Sequence, residues 1–176
     1  MSHTIIDTNV PIVANGHADQ ASLPCIVACQ HLLAEFAADG RMLVLDTAWH
    51  ILREYMHKLR PEGQPGLGDA FLKWVLTNHA NPRRCERVMI TASPNAQSAH
   101  DFAEFPADPA LAGFDPSDRK FVAVACAHPA RPPIYNAVDT DWRHYQEALA
   151  ANGVVVAQVC PDDVRRLVDR KSQKAL

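Results

Sequence analysis

Three apolar runs in this chain end at the dipeptide Asp-Thr, and a helical pattern follows each of them. The three dipeptides are Asp7-Thr8, Asp46-Thr47 and Asp139-Thr140. In a parallel α/β sheet the carboxyl ends of the strands meet at one edge, and ligands bind at that edge. Carboxylates gathered there repel one another, and a hard cation or a shared proton lets them coexist. The repeated dipeptide therefore predicts an acidic edge suited to a divalent cation.

Strand and helix patterns alternate along the whole chain, and they predict how this edge is built. The predicted strands are 4–6, 41–45, 134–138 and 154–159, with a less regular one at 88–91. The predicted helices are 23–38, 47–59, 69–78, 116–128 and 141–152, followed by a short polar helix opened by Pro161-Asp162-Asp163. Asp39-Gly40 is typical of the end of the first helix.

This alternation predicts an α/β fold in one domain, 1–176, with a central, mostly parallel sheet of four to five strands flanked by helices. The segments 61–68 and 92–114 are rich in turn residues, and we expect them to be loops or insertions. A chain of 176 residues is long enough to bury a sizeable core by itself.

Charge and composition exclude some classes of protein. The net charge is −3 and the pI is about 6.3, which argues against a passive nucleic-acid binder because such affinity comes from neutralising phosphates. An enzyme whose phosphate contacts run through metal ions is not excluded. The sequence shows neither an apolar run of membrane-spanning length nor a basic leader with an apolar stretch. We therefore expect a cytoplasmic protein that does not bind a membrane.

The five cysteines form no obvious pairing pattern, and we expect them to be reduced thiols. Cys25 and Cys29 are four residues apart on a predicted helix and could share one face. A tetrahedral zinc site needs further ligands, and no second close pair of Cys or His residues supplies them. The sequence therefore argues against a structural zinc site.

Four acidic residues stand in contexts that could place them at the predicted edge. Asp7 and Asp139 end strands, Glu54 lies in the helix after the second strand, and Asp118 lies in the first turn of a helix.

On these residues the chain resembles the PIN-domain nucleases. The stretch Ile5-Ile6-Asp7-Thr8-Asn9 is similar to the opening motif of that family, and Glu54 falls where the family has a helical glutamate. Asp118 matches the third acid, before an alanine-rich apolar helix, and Asp139 matches the fourth. The resemblance covers essentially the whole chain.

Some positions have competing interpretations. Asp115 competes with Asp118, but it precedes proline and is favoured as a helix N-cap. Asp141 competes with Asp139, but it could cap the following helix. Asp46 is favoured as an N-cap because the resemblance places the ligand at Glu54. We expect His50 and His57, which flank Glu54, to be packing or surface residues, and Trp142 to be a core anchor.

The resemblance implies a PIN-like domain with the activity of a metal-dependent endonuclease. The implied catalytic residues are Asp7, Glu54, Asp118 and Asp139, and these four with Asp141 are the implied ligands of Mg²⁺ or Mn²⁺. Thr8 and Asn9 would support Asp7, and Arg119 and Lys120 would contact substrate phosphates. The substrate would be nucleic acid, most simply RNA. A toxin of a toxin–antitoxin or defence system, an antitoxin protein partner and a homodimer are further expectations.

Two other functions are compatible with parts of the pattern. One is a PIN-like scaffold with weak or no catalysis that binds RNA or protein, although a scaffold has no evident use for four clustered acids. The other is a haloacid-dehalogenase-like phosphatase, which also has an aspartate after its first strand. That family has a second aspartate two residues later, whereas Asn9 occupies this position here.

Overall fold

The strand order of the sheet brings the ends of the strands that precede Asp7 and Asp139 next to each other. The computed structural model describes residues 2–38, 41–60, 62, 64–96 and 98–174. The sheet has five parallel strands in the order β3-β2-β1-β4-β5. The strands are β1 (His3–Ile6), β2 (Met42–Asp46), β3 (Cys85–Val88), β4 (Ile134–Asn136) and β5 (Val156–Gln158).

Helices connect the strands, apart from an irregular segment after β3, and one further helix follows β5. The helices are α1 (Asn9–Ala14), α2 (Leu23–Ala38), α3 (His50–Lys58), α4 (Leu67–Asn78), α5 (Arg119–Ala127), α6 (Asp141–His144), α7 (Gln146–Ala151) and α8 (Pro161–Lys174). Helices α1, α2 and α4 pack on one another, and α3 packs on α5. The predicted α/β class and the parallel sheet flanked by helices are confirmed.

The strand order reverses beside β1. From β1 the chain proceeds to β2 and β3 on one side, and later to β4 and β5 on the other side. The crevice at such a reversal is the usual ligand site of an open parallel sheet. Asp7 follows β1 and Asp139 follows β4, so both acids lie at this crevice.

Several predicted boundaries differ from the structure. Helix α2 agrees with its prediction, whereas β3 lies at Cys85–Val88 rather than at 88–91. Helix α3 begins at His50 rather than at 47, because Trp49 has a left-handed backbone with φ of 69°. The predicted helix 141–152 is divided into α6 and α7, and α8 is longer than the short helix expected. The capping signal at Asp39-Gly40 lies outside the described residues.

The predicted loop 61–68 is partly helical, and its residues 61 and 63 lie outside the described part of the chain. Helix α4 begins at Leu67 and packs closely on α1, which the sequence pattern does not predict. A Cβ atom at Gly68 would come within 1.9 Å of the Pro11 carbonyl oxygen, so the close approach of these two helices requires glycine. Asn15 Oδ1 accepts hydrogen bonds from the backbone N–H groups of Gly68 and Asp69 and satisfies the start of α4.

The segment 92–114 is irregular, as predicted, but it is part of the core rather than a loose insertion. Residue 97 lies outside the described part of the chain. Phe102, Leu111 and Phe114 of this segment are buried. The Phe114 ring lies 5.1 Å from the Trp142 ring in an edge-to-face contact. The segment therefore supports the side of the sheet edge that carries the acids.

The expectation of reduced cysteines is wrong for two of them. Cys25, in the first turn of α2, forms a disulfide with Cys160, directly before α8. Cys29 Sγ lies 3.9 Å from Cys160 Sγ, so three of the five sulfur atoms meet. The partner of Cys25 is 135 residues away, a distance at which spacing carries no pairing signal.

Apolar residues from the strands and helices pack together in one hydrophobic core. No helix in the described ranges is both long enough and apolar enough to cross a membrane.

We predict that the Cys25–Cys160 disulfide contributes about 2–4 kcal/mol to the free energy of unfolding, because it closes a long loop in the unfolded chain. Cys160→Ser, or reduction of the wild type, should lower the melting temperature by about 5–15 °C. The measurement is thermal unfolding with and without a reducing agent. Cys126→Ser, which removes a free thiol, is the control. An unchanged melting temperature on reduction would contradict the prediction.

Candidate functional site

Asp7 lies directly after β1, and its carboxylate is buried. The Asn9 backbone N–H donates to Asp7 Oδ1 over 2.7 Å, and Trp142 Nε1 donates to Oδ2 over 2.8 Å. Each oxygen therefore has one fixed donor and keeps further acceptor capacity. Burial, together with the charges of Asp139 and Glu54, raises the pKa of Asp7 to about 7. The carboxylate is held in position, but its negative charge is poorly compensated.

Asp118 is the buried acid of the pair that competed for the third position. It lies in the 3-10 turn Pro116–Asp118, directly before α5. Asp115 caps this turn, as predicted, because its Oδ1 accepts a hydrogen bond from Ser117 N over 2.8 Å. Burial, with the charges of Asp7 and Asp139, raises the pKa of Asp118 to about 9.

Asp139 lies in the loop between β4 and α6. Its Oδ1 accepts a hydrogen bond from the Asp141 backbone N–H over 2.9 Å. The capping role expected for Asp141 is therefore taken by Asp139 itself. Burial and the neighbouring charge of Asp141 raise the pKa of Asp139, while that N–H and the charge of Lys171 act against the shift. Asp141 remains half-buried beside it.

Glu54 extends from α3 toward the other acids and carries a counter-charge. Lys120 Nζ lies 2.5 Å from Glu54 Oε2, and it also donates to the Ser117 carbonyl oxygen. The Lys120 side chain is only 5% exposed. The positive charge of Lys120 lowers the pKa of Asp7 and of Asp118, although burial outweighs it at both residues. Lys120 is thus a buried cation of the acidic cluster rather than a solvent-facing side chain.

The structure brings the four predicted acids into one cluster. Asp7, Asp118 and Asp139 are linked through their effects on one another's pKa, and Glu54 acts on Asp7. They come from different parts of the fold, and only the sheet edge unites them. Within the described part of the chain, no three of their carboxylates have oxygens within 4.8 Å of one another. The carboxylate oxygens are therefore farther apart than the ligand atoms of a single small ion would be.

Comparisons of the chain with models of protein families, with curated proteins and with solved structures found no match. The resemblance to the PIN-domain nucleases therefore stays a prediction from the order and context of the acids. The arrangement of these side chains carries the functional argument.

The Asp46 side chain caps α3, as predicted, although the N-cap position itself is Trp49 because the helix begins later than expected. It ends β2, and its two carboxylate oxygens accept hydrogen bonds from the backbone N–H groups of His50 and Ile51, both over 2.9 Å. These are the first two residues of α3, so Asp46 anchors the helix that carries Glu54. His50 packs edge-on against Phe102, as expected of a packing residue.

Asn9 supports Asp7 by hydrogen bonding, as predicted, whereas Thr8 does not. The Thr8 hydroxyl is buried and has no hydrogen-bond partner among the described residues, so it does not hold Asp7. Asn9 holds Asp7 through its backbone N–H. The Asn9 side chain joins the start of α1 to the end of β4, because it donates to Asn136 Oδ1 over 2.8 Å and accepts from Ala137 N over 2.7 Å.

Arg119 points away from the acids. Its guanidinium lies 2.6 Å from Asp101 Oδ1 and 5.1 Å from the centre of the Phe105 ring. It also donates to the Ala112 carbonyl oxygen. Arg119 therefore ties the segment 92–114 to α5. Phosphate binding by Arg119 and Lys120 stays a prediction, and in this structure both charges face carboxylates of the protein.

Sequence reasoning missed several functions within the cluster. Trp142 is fully buried, as a core anchor should be, but it is also the donor that orients Asp7. Asn136, at the end of β4, is buried and donates to the Asp139 carbonyl oxygen and to Gln158 Oε1. Tyr55 donates to the Ile6 carbonyl oxygen, directly before Asp7. The available signal was proximity in sequence, since Tyr55 follows Glu54 and Trp142 follows Asp139 by three residues.

A second group of possible ligands lies near the start of β1. His3 Nε2 is 2.9 Å and His128 Nε2 is 3.3 Å from Glu86 Oε2. The Ala130 backbone N–H donates to His128 Nδ1, so the ring proton of His128 lies on Nε2 and faces the carboxylate. A histidine binds a metal through an unprotonated nitrogen, so this tautomer argues against His128 Nε2 as a metal ligand.

We predict that the metal-free protein becomes less stable as the pH rises from about 4 to about 9. A carboxyl group whose pKa is higher in the folded than in the unfolded protein stabilises the fold at acid pH and loses this contribution as the pH rises to its folded pKa. The folded values are about 7 for Asp7 and about 9 for Asp118.

Asp118→Asn should therefore raise the stability at pH 8 by about 1–3 kcal/mol and flatten the pH dependence. The measurement is chemical unfolding in EDTA at several pH values. Asp169→Asn, at an exposed position of α8, is the matched control. Equal pH profiles for Asp118→Asn and wild type would contradict the prediction.

Proposed function

We propose that the protein is a metal-dependent endonuclease that hydrolyses phosphodiester bonds, with RNA as its substrate. The observation that carries the proposal is the convergence of two buried carboxylates, Asp7 and Asp118, with the half-buried Asp139 at the switch point of a parallel sheet. Each has a raised pKa, mainly because burial leaves its charge poorly compensated. A cation is the ligand that such a site would bind most favourably.

The donor set fits Mg²⁺ or Mn²⁺. All candidate ligands are carboxylate oxygens, which are hard donors and suit these ions better than soft metals. Asp7, Asp118 and Asp139 would hold the ion, and Asp141 and Glu54 are the further candidate ligands. When bound, the ion supplies Lewis-acid catalysis of phosphodiester hydrolysis. The spacing of the acids means that their side chains, or waters, would have to close the distance to the ion.

The residues of the chain would prepare the site for that ion. Trp142 and the Asn9 N–H orient the two oxygens of Asp7. Lys120 holds Glu54 and offsets part of the cluster's negative charge. At neutral pH and without a cation, Asp118 retains its proton, which cation binding would displace.

The choice of RNA, a role as a toxin, an antitoxin partner and a homodimer rest on the resemblance to the PIN-domain nucleases. A cytoplasmic location is part of the same proposal. The Cys25–Cys160 disulfide is unusual for that compartment, since thiols are kept reduced there.

The second candidate is a PIN-like scaffold that binds RNA or protein without catalysis. The observation that favours it is the Glu54–Lys120 ion pair, which already engages one of the four acids. Because Lys120 already neutralises part of the negative charge, a bound metal ion would stabilise the site less. The two candidates differ in one measurable property, which is metal-dependent cleavage.

We predict that the purified protein cleaves labelled single-stranded RNA in Mn²⁺ or Mg²⁺ and not in EDTA. Asp7→Asn and Asp118→Asn should each lower the rate by at least about 10²-fold, since each removes a proposed ligand. The measurement is gel analysis of labelled RNA and, in parallel, of single-stranded DNA of the same sequence.

Asp169→Asn is the control for the loss of one negative charge and should retain the wild-type rate. Cleavage that persists at the same rate in Asp7→Asn would indicate a contaminating nuclease and contradict the proposal. Cleavage by none of the proteins, together with RNA binding, would favour the scaffold.

A further inference from the structure

A groove adjoins the acidic cluster on the side of α8. It has a volume of about 620 Å³, which lies in the range of sites for small ligands. Asp139 of the cluster is one of its lining residues. The described lining residues are Asn9, Gln20, Val138, Asp139, Thr140, Leu167, Arg170, Lys171 and Lys174.

One face of α8 forms the cationic wall of this groove. Leu167, Arg170, Lys171 and Lys174 follow the i, i+3, i+4, i+7 spacing that places residues on one side of a helix. Three of these four side chains are cations, although the chain as a whole has a net charge of −3. None of the aspartates of α8 is among the described lining residues. The wall therefore carries a concentrated positive charge beside a concentrated negative one.

The cations of this wall are available to a ligand. Arg170 and Lys174 are exposed, and within the described ranges neither makes an ion pair or a side-chain hydrogen bond to the protein. Lys171 Nζ donates to Thr140 Oγ1 over 2.5 Å, beside Asp139. Its ammonium group is thus fixed at the boundary between groove and cluster. Arg119 and Lys120, by contrast, are already paired with acids.

We propose that this groove binds the backbone of single-stranded nucleic acid, with Arg170, Lys171 and Lys174 contacting the phosphates next to the bond at the acidic cluster. The inference rests on the proposed function and adds the residues that bind its substrate. An acidic cluster repels a polyanion, so a nuclease of this kind needs cations beside it to hold the strand. The cations on this face of α8 line the same groove as Asp139 and could hold the strand beside the acidic cluster.

The composition of the groove sets the expected character of binding. No described lining residue is aromatic, so stacking of bases contributes little and the phosphates supply most of the affinity. Three phosphate contacts on a single strand would give a slope of about −2 for the logarithm of the affinity against the logarithm of the salt concentration. Leu167 and Val138 offer apolar contact that does not select a base.

The experiment measures binding separately from cleavage. Fluorescence anisotropy of labelled single-stranded RNA is recorded in EDTA at several salt concentrations, with Asp118→Asn as the background that does not cleave. In this background the groove variant is Arg170→Ala with Lys174→Ala. The control variant is Arg83→Ala with Arg165→Ala, which removes the same charge from exposed positions outside the groove.

The groove variant should bind at least about 10-fold more weakly than the control variant, and its salt slope should be smaller by about 1.4, corresponding to two lost contacts. In the cleaving background it should raise KM and leave kcat within about twofold. Equal affinities and slopes for the two variants would overturn the inference, even where the wild type cleaves RNA. Weaker binding by the groove variant supports it, even where no protein cleaves, and in that case only the proposed nuclease activity fails.

Discussion

The burial of carboxylates that also repel one another is the constraint on which this structure depends. Asp7, Asp118 and Asp139 are brought together at the switch point of the sheet, where burial makes every negative charge costly. A core of this kind persists without a cation only when protons or positive side chains offset the charge. Here the protons kept by carboxyl groups with raised pKa values and the positive charge of the buried Lys120 offset the negative charge.

The elements around the cluster hold each acid in place against this repulsion. Trp142 binds Asp7, and its ring packs against Phe114 from the segment 92–114. Arg119 ties the same segment to α5, the helix that follows Asp118. A region that the sequence marks as an insertion is therefore the support of the site. Its removal would expose the tryptophan that orients the first acid.

Helix α8 connects the disulfide to the acidic edge. Its start is fixed to α2 by the bond between Cys25 and Cys160, and its last two turns carry the cations that line the groove. The first residues of the helix cannot leave α2 while this bond is intact. The position of the cationic wall beside Asp139 thus depends in part on a covalent link at the far end of the helix.

The sequence by itself determined the class of the fold and the strand ends near which Asp7, Asp46 and Asp139 lie. Apolar runs of strand length alternate with helical periods, and Asp-Thr marks the strand ends, because these signals are local. The tertiary structure decided what lies around the acids. The Cys25–Cys160 bond, the pairing of Lys120 with Glu54 and the wall of α8 beside Asp139 join residues far apart in the chain, and no local pattern encodes such contacts. Lys120 illustrates the difference, since its sequence predicts a surface cation for phosphate, whereas the packing of α5 on α3 buries it among the acids.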